Sequence, residues 1–232
     1  MNTRLGTTLI VTIGALVAVS GCADVADRPS SSPTADQSEP TTRPPTVPSD
    51  PGTAPDVDAE QVARLWGVSY DYAALESPTA LADYAETELV IAGRVLDFQP
   101  GPIYFAETLD HPEAAPQMVM SVQVDTVVKG DAAPGDTVYV VNDVTEPLEA
   151  YSKGLPTGTH VGLYLEDAPV ENDNMVIGDE GAGRPAGEQL WIAGPQGFIV
   201  ADGENDGVVF PYDHDVAPQA EFDEQLPPTE ER

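Results

Sequence analysis

The sequence predicts a mainly β domain, either a small barrel or a β-sandwich, preceded by one or two short helices. After Glu88 the spacing of apolar residues changes from a helical period to an alternation of two, which continues through most of the domain. Turn signals rich in glycine, proline, asparagine and aspartate separate the short apolar runs. A domain of about 150 residues is large enough for one hydrophobic core.

Two helix starts precede the strands. Asp58 is predicted to cap a short helix, with Gln61 three residues later as its capping-box partner. Ser77 is predicted to cap a second helix, because Pro78 follows it at the first helical position. The apolar stripe of this second helix is expected to face a sheet, and it consists of Leu81, Tyr84 and Ala85.

Eight short strands are predicted after these helices. They span residues 89–98, 118–128, 137–144, 160–166, 175–177, 189–193, 198–201 and 208–210. Gly93 interrupts the first strand and predicts a bulge or a bend. Residues 118–128 alternate most clearly and form a predicted hairpin with 137–144. Four prolines predict that residues 99–117 form a long loop.

The N-terminal segment has the composition of a signal peptide. A positively charged start, residues 1–4, precedes an apolar run, 5–19, that is too short to span a bilayer comfortably. The run ends in Val19-Ser20-Gly21-Cys22, which resembles the lipid-attachment box of bacterial lipoproteins. That resemblance implies removal of residues 1–21 and attachment of a diacylglyceryl group to Cys22, the single cysteine of the chain. The alternative is a free N-terminal helix with a chance cysteine.

The lipid anchor implies a protein held at the extracytoplasmic side of the cell membrane. Two acyl chains hold a protein stably because each buried methylene contributes roughly 0.8 kcal/mol. Residues 22–57 are predicted to be a disordered tether, since 18 of the 35 residues after Cys22 are proline, serine or threonine. The β-rich domain is predicted over residues 58–212, and residues 213–232 are predicted to be a flexible acidic tail.

The charge of the chain excludes one class of partner. The sequence has 40 acidic residues against 9 lysines and arginines, for a formal net charge of −31. Proteins that bind nucleic acid need clustered basic side chains to neutralise phosphates. Lys129 and Lys153 are the only lysines, so we expect no nucleic-acid partner. The acidity is equally explained by solubility, by adaptation to salt or by codon bias.

A second resemblance covers roughly residues 88–167. The segments that carry it are LVIAGRV (89–95), the run 122–130 that closes in VVKG, GDTVYV (135–140) and 158–165. Their order resembles that of five-stranded oligonucleotide/oligosaccharide-binding (OB-like) barrels of the netrin and metalloprotease-inhibitor type. The resemblance implies an OB-like barrel and carries no functional residue, because it consists of strand and turn positions. The chain departs from eukaryotic members, whose disulfides a single cysteine cannot form.

Common catalytic motifs are missing from the sequence. Residues 67–71 begin like a serine-hydrolase elbow but end in aspartate. A serine three residues before a lysine would indicate a penicillin-binding type of enzyme, but Thr126 and Ala150 occupy those positions. The histidines lack the close spacing of a zinc site, and they are His111, His160 and His214.

One acidic segment has the rhythm of a calcium loop. Carboxylates stand at alternate positions, a glycine stands at the sixth position and another carboxylate at the twelfth. The candidate Ca²⁺ ligands are Asp202, Glu204, Asp206 and Asp213. The flanking residues alternate like strands, so a solvated hairpin turn is the competing interpretation, and no other metal site or cofactor is predicted.

We therefore expect a non-enzymatic binding module in the cell envelope. Its partner would be an envelope protein, a peptide or a glycan, contacted through Tyr104, Phe105 and Trp191. Core packing is the alternative role for each of these aromatic residues. Two other functions stay open: a small envelope hydrolase whose site is not visible in sequence, and a calcium-responsive structural protein.

Overall fold

Within the described residues, five strands close into a barrel. The computed structural model describes residues 55, 57–66, 75–106, 114–169, 175–202, 207–213, 215–217 and 221–228. The barrel strands are β1 (Leu89–Ala106), β2 (Ala114–Lys129), β3 (Thr137–Asp143), β4 (His160–Asp167) and β6 (Leu190–Asp202), and β5 (Met175–Gly178) pairs with the end of β1 outside the barrel. The predicted mainly β class is confirmed.

The strand order decides between the two predicted architectures. β1 pairs with both β2 and β4, β2 pairs with β3, and β4 pairs with β6, all antiparallel. The ring closes where β3 runs parallel to β6, with Tyr139 opposite Leu190 and Val140 opposite Trp191. A β-sandwich would leave this pair open, so the closed barrel of the OB-like prediction is the observed form.

Alternation along β2 produces the core of the barrel. Met118, Met120, Val122 and Val124 are fully or almost fully buried in the main hydrophobic cluster. The predicted irregularity at Gly93 is confirmed, because the β1–β2 register shifts between Ala92 and Gly93. A Cβ at position 93 would overlap the carbonyl oxygen of Gln123. Glycine is therefore required where β1 passes closest to β2.

The region predicted as a long loop is instead an extended hairpin arm. β1 continues to Ala106 and β2 begins at Ala114, so most of residues 99–117 are strand. Pro100 and Pro102 fit because the register shifts between Pro100 and Ile103, where the hydrogen-bond ladder is already interrupted. The two strands predicted over 189–193 and 198–201 are likewise one continuous strand, β6.

Three short helices pack around the barrel. α1 (Ala59–Leu65) is capped by Asp58 as predicted, since the backbone N–H of Gln61 donates to the Asp58 carboxylate at 2.9 Å. α2 (Pro78–Ala82) is capped by Ser77, but its predicted sheet-facing stripe is partly wrong because Tyr84 is 47% exposed. α3 (Leu148–Gly154) was not predicted, since it is short and ends in glycine. No helix in the described ranges is long and apolar enough to cross a membrane.

The C-terminal residues differ from the predicted tail. β7 (Gly207–Phe210) pairs with β6, and β8 (Asp215–Ala217) pairs with β7, so the sheet continues beyond residue 212. The 3-10 helix Phe222–Gln225 then packs on the outer face of β4. Two apolar side chains, Phe222 and Leu226, explain the docking, because they join a second hydrophobic cluster with Tyr164.

Candidate functional site

Tyr104 lies in a hollow at the far end of the β1 arm. The hollow has a volume of about 250 Å³, and β5, the end of β4 and the loop 179–189 form its walls. Its lining includes Pro102, Tyr104, Asp167, Ile177, Arg184 and Gln189. An aromatic ring with a few converging polar groups is typical of a small ligand site.

The loop 179–189 is folded rather than extended. Arg184 donates to the carbonyl oxygens of Glu180 and Glu188, at 2.7 and 2.6 Å, so one guanidinium joins both halves of the loop. Gly183 has a φ of +80° and sits directly against Val119, where a side chain would clash. The loop therefore covers the outer face of β2, and its glycines allow that close approach.

The hydroxyl of Tyr104 is buried without a hydrogen-bond partner among the residues that the structure describes. Burial raises the pKa of this phenol, the Asp143 carboxylate raises it further, and the Arg184 guanidinium opposes both. The hydroxyl is therefore neutral at physiological pH and can both donate and accept a hydrogen bond. A buried polar atom without a partner costs free energy, so this hydroxyl destabilises the folded state relative to a phenylalanine at the same position.

Trp191 lies in a second hollow on the other side of Gln189. This hollow has a volume of about 600 Å³ and is mostly polar. Its lining includes Asp131, Asp136, Thr137, Tyr139, Glu188 and Trp191. Gln189 lines both hollows and donates from Nε2 to Oδ1 of Asp167. We call the two hollows together the Gln189 cleft, since this one side chain stands between them.

The three aromatic residues predicted to contact a partner have different surroundings. Tyr104 and Trp191 line the cleft, although Trp191 also packs partly against the barrel core. Phe105 does not line either hollow, because its ring lies over Gly178 of β5, where a Cβ would be 2.8 Å from Cε2. Phe105 therefore packs against β5, and Trp191 packs partly against the barrel core.

Of the four candidate calcium ligands, the structure describes Asp202 and the backbone of Asp213. Asp202 is buried at the end of β6 and pairs with Gly207 across the β6–β7 hairpin. Asp213 ends the 3-10 turn Pro211–Asp213, and Glu204 and Asp206 are outside the described ranges. The described residues contain no group of three or more side chains suited to hold a metal ion. The hairpin itself agrees with the competing interpretation of this segment.

Sequence reasoning missed Arg184, Gln189 and Tyr139. Arg184 belongs to a segment that reads as an ordinary glycine-rich loop, Gln189 begins the strand predicted over 189–193, and Tyr139 looks like any alternate residue of a strand. One signal was available, since Arg184 is the only lysine or arginine between Lys153 and Arg232. A lone cation in a strongly acidic chain indicates a position where a fixed charge is needed.

Comparison with protein-family models, with curated proteins and with solved structures gave no match to this chain.

Proposed function

We propose that this protein is a lipid-anchored, extracytoplasmic binding module that holds a neutral oligosaccharide segment of the cell envelope in the Gln189 cleft. The observation that carries this proposal is the position of Gln189 between two adjoining hollows. One hollow contains Tyr104 and the other contains Trp191 and Tyr139. Two adjoining hollows with aromatic rings and polar rims suit an extended, hydroxyl-rich chain better than one compact molecule.

The charge of the cleft narrows the ligand class. Barrels of this architecture bind oligonucleotides or oligosaccharides through the face of their second and third strands and the neighbouring loops. By analogy, these two ligand classes are the ones to compare for the Gln189 cleft. Among the described residues that line the cleft, Arg184 is the only cationic side chain, against Asp131, Asp136, Asp167, Glu180 and Glu188. A polyanion would be repelled, so a neutral glycan is favoured over a nucleic acid.

The anchor gives the cleft its place in the envelope. The box that ends in Cys22 supports lipid attachment, and residues 22–57 supply the spacer. A proline-rich chain extends by about 3.1 Å per residue, so the spacer reaches on the order of 100 Å from the membrane when stretched. That reach suits a module that binds envelope polymers some distance from the bilayer.

Glycan binding is tested with the full-length chain in non-ionic detergent and neutral oligosaccharides released from bacterial envelope glycan. We expect Tyr104→Phe to weaken binding about tenfold, since one hydroxyl contact is lost. The same variant should keep or raise the melting temperature, because that hydroxyl has no partner among the described residues. Tyr84→Phe is the matched control, since Tyr84 is exposed and lies outside the cleft.

Two results would overturn the glycan proposal. One is equal binding by the Tyr104→Phe and Tyr84→Phe proteins, and the other is tighter binding to single-stranded DNA or to acidic peptides than to any neutral oligosaccharide.

The anchor is tested separately. Cys22→Ala should move the protein from the membrane fraction to the soluble fraction, and an unchanged distribution would contradict lipid attachment at Cys22.

A further inference from the structure

A further cavity, separate from the two hollows of the Gln189 cleft, lies on the other side of β4. It has a volume of about 390 Å³, within the range of small-molecule sites. Apolar and aromatic side chains form most of its wall, and they include Leu75, Leu81, Tyr84, Tyr164 and Pro195. Because α2 forms one side of it, we call it the α2 cavity. Alternation along β4 separates the two sites, since Asp167 faces the cleft and Glu166 faces the α2 cavity.

The walls of the α2 cavity are held in place by hydrogen bonds. The Leu75 amide donates to Oε1 of Gln196 at 2.7 Å, and Nε2 of Gln196 donates back to the Leu75 carbonyl at 3.4 Å. On the opposite side, the hydroxyl of Tyr164 donates to the carbonyl oxygen of Gln225 at 2.7 Å. The cavity is therefore formed by the fold itself, with its entry segment and the C-terminal segment both fixed to the barrel.

Two carboxyl groups meet at one end of this cavity. Glu166 is half-buried and hydrogen-bonds to the carboxyl group of Glu86, which is exposed at the rim. Burial raises the pKa of Glu166, and the neighbouring charge of Glu86 and the hydrogen bond to it raise the pKa further. None of the described residues that line the cavity is a lysine or an arginine. The negative end therefore lacks a counter-charge from the cavity wall.

Neither a hard divalent cation nor an inverting glycoside hydrolysis fits this arrangement. Hard divalent cations take six or more oxygen ligands, and the described part of the chain holds no cluster of three metal-ligating side chains. Glycoside hydrolysis with inversion needs room for a water between the two carboxyl groups, and these two are in hydrogen-bond contact. The occupant must instead supply one positive charge and an apolar surface.

We propose that the α2 cavity binds an organic ammonium ion that carries an apolar group. The ammonium lies beside the hydrogen-bonded pair of Glu86 and Glu166, where it offsets the negative charge of the pair and donates hydrogen bonds to its free oxygens. The apolar group packs against Leu81 and the ring of Tyr164, and Tyr84 offers an aromatic face to the cation. This site is separate from the proposed glycan cleft and does not depend on it.

The test uses phenethylamine as the probe and calorimetric titration of the full-length chain in non-ionic detergent at pH 7. We expect phenethylamine to bind, and its neutral isostere 2-phenylethanol to bind at least tenfold more weakly. Glu166→Gln should weaken phenethylamine binding at least tenfold. Glu88→Gln is the matched control, because Glu88 is an exposed acid on the same segment that lines no described cavity, and it should bind like the wild type.

The melting temperature separates lost binding from lost folding. Glu166→Gln should melt at or above the wild-type temperature, since the glutamine amide can donate to the Glu86 carboxylate without a shared proton. Tyr104→Phe should leave phenethylamine binding unchanged, which keeps this test independent of the cleft. Three results would each overturn the proposal. The amine and the alcohol could bind equally, or the two glutamine variants could bind phenethylamine equally. The third is a Glu166-dependent rise in melting temperature with Ca²⁺ but not with phenethylamine.

Discussion

Tyr212 donates a hydrogen bond of 2.7 Å from its hydroxyl to Oδ1 of Asn142 inside the barrel. The same oxygen accepts a bond of 3.4 Å from the indole nitrogen of Trp66, and the Asn142 amide donates to the Val140 carbonyl at 3.1 Å. Trp66 follows α1, before the first strand, whereas Tyr212 follows β7. One buried side chain on β3 therefore joins the segment before the first strand to the segment that follows β7.

Replacing Asn142 with leucine should destabilise the domain by about 2–4 kcal/mol, because buried donors lose their shared acceptor. Asp143→Asn on the same strand is the control, since Asp143 is exposed and an asparagine oxygen can still accept from Gln117. The measurement is urea unfolding monitored by tryptophan fluorescence. Equal unfolding midpoints for the two variants would show that the buried bonds contribute little.

Gly93→Ala should destabilise the barrel by about 1–3 kcal/mol, because the new methyl group overlaps the backbone of β2 and neither strand can move freely. The control is Gly181→Ala, where nothing lies within 4 Å of an added Cβ. Thermal melting followed by circular dichroism measures both. A melting temperature for Gly93→Ala at or above that of Gly181→Ala would rule out the close approach of β1 and β2.

Phe222 should hold the C-terminal segment on the barrel. The centroids of the Phe222 and His160 rings are 4.5 Å apart, and the angle between the two ring planes is 31°. Phe222→Ala should cost about 1–3 kcal/mol, less than a truncation in the core because Phe222 is only half-buried. Glu224, two residues further along the same 3-10 helix, is the control. It is exposed, so Glu224→Ala should change the unfolding free energy by less than about 0.5 kcal/mol. If neither variant changes stability or the protease resistance of residues 221–228, the segment does not stabilise the domain.

His160 should make the domain less stable as the pH falls. Burial lowers the pKa of His160 below its ordinary 6.5, and Arg94 lowers it further, while Asp125 and Asp223 oppose them. The unfolded chain therefore takes up the proton first, and the stabilisation from the neutral imidazole is lost as the pH falls from about 6.5 towards the folded-state pKa. Three elements face His160: β1 through Arg94, β2 through Asp125 with Oδ2 at 3.8 Å from Nε2, and the C-terminal 3-10 helix through Phe222 and Asp223.

The comparison that checks this prediction is the unfolding free energy of the wild type and of His160→Gln, each at pH 7.5 and pH 5.5. Carboxylates titrate in both proteins, so the difference between the two pH slopes isolates His160. We expect a smaller loss of stability on acidification in the glutamine variant. Identical slopes would contradict the burial of a neutral histidine at this position.

The sequence by itself determined those features that depend on neighbouring residues. Alternation over 118–128 identified the inward face of β2, and the side chains of Asp58 and Ser77 identified the two helix caps. Gly93 marked the irregularity in β1. In each case the signal and the structure lie within a few residues of one another, so local steric rules and hydrogen bonds are sufficient.

Only the tertiary structure decided what covers each face. The prolines of 99–117 suggested a loop, but pairing with β2 and β5 made that region strand. Tyr104 became a cleft residue and Phe105 a packing residue although they are adjacent, because β5 and the loop 179–189 approach from far along the chain. A periodic pattern records that a residue is buried or exposed, but the partner that buries it is chosen by chain closure over long distances. The barrel, the Gln189 cleft and the α2 cavity all depend on such distant contacts.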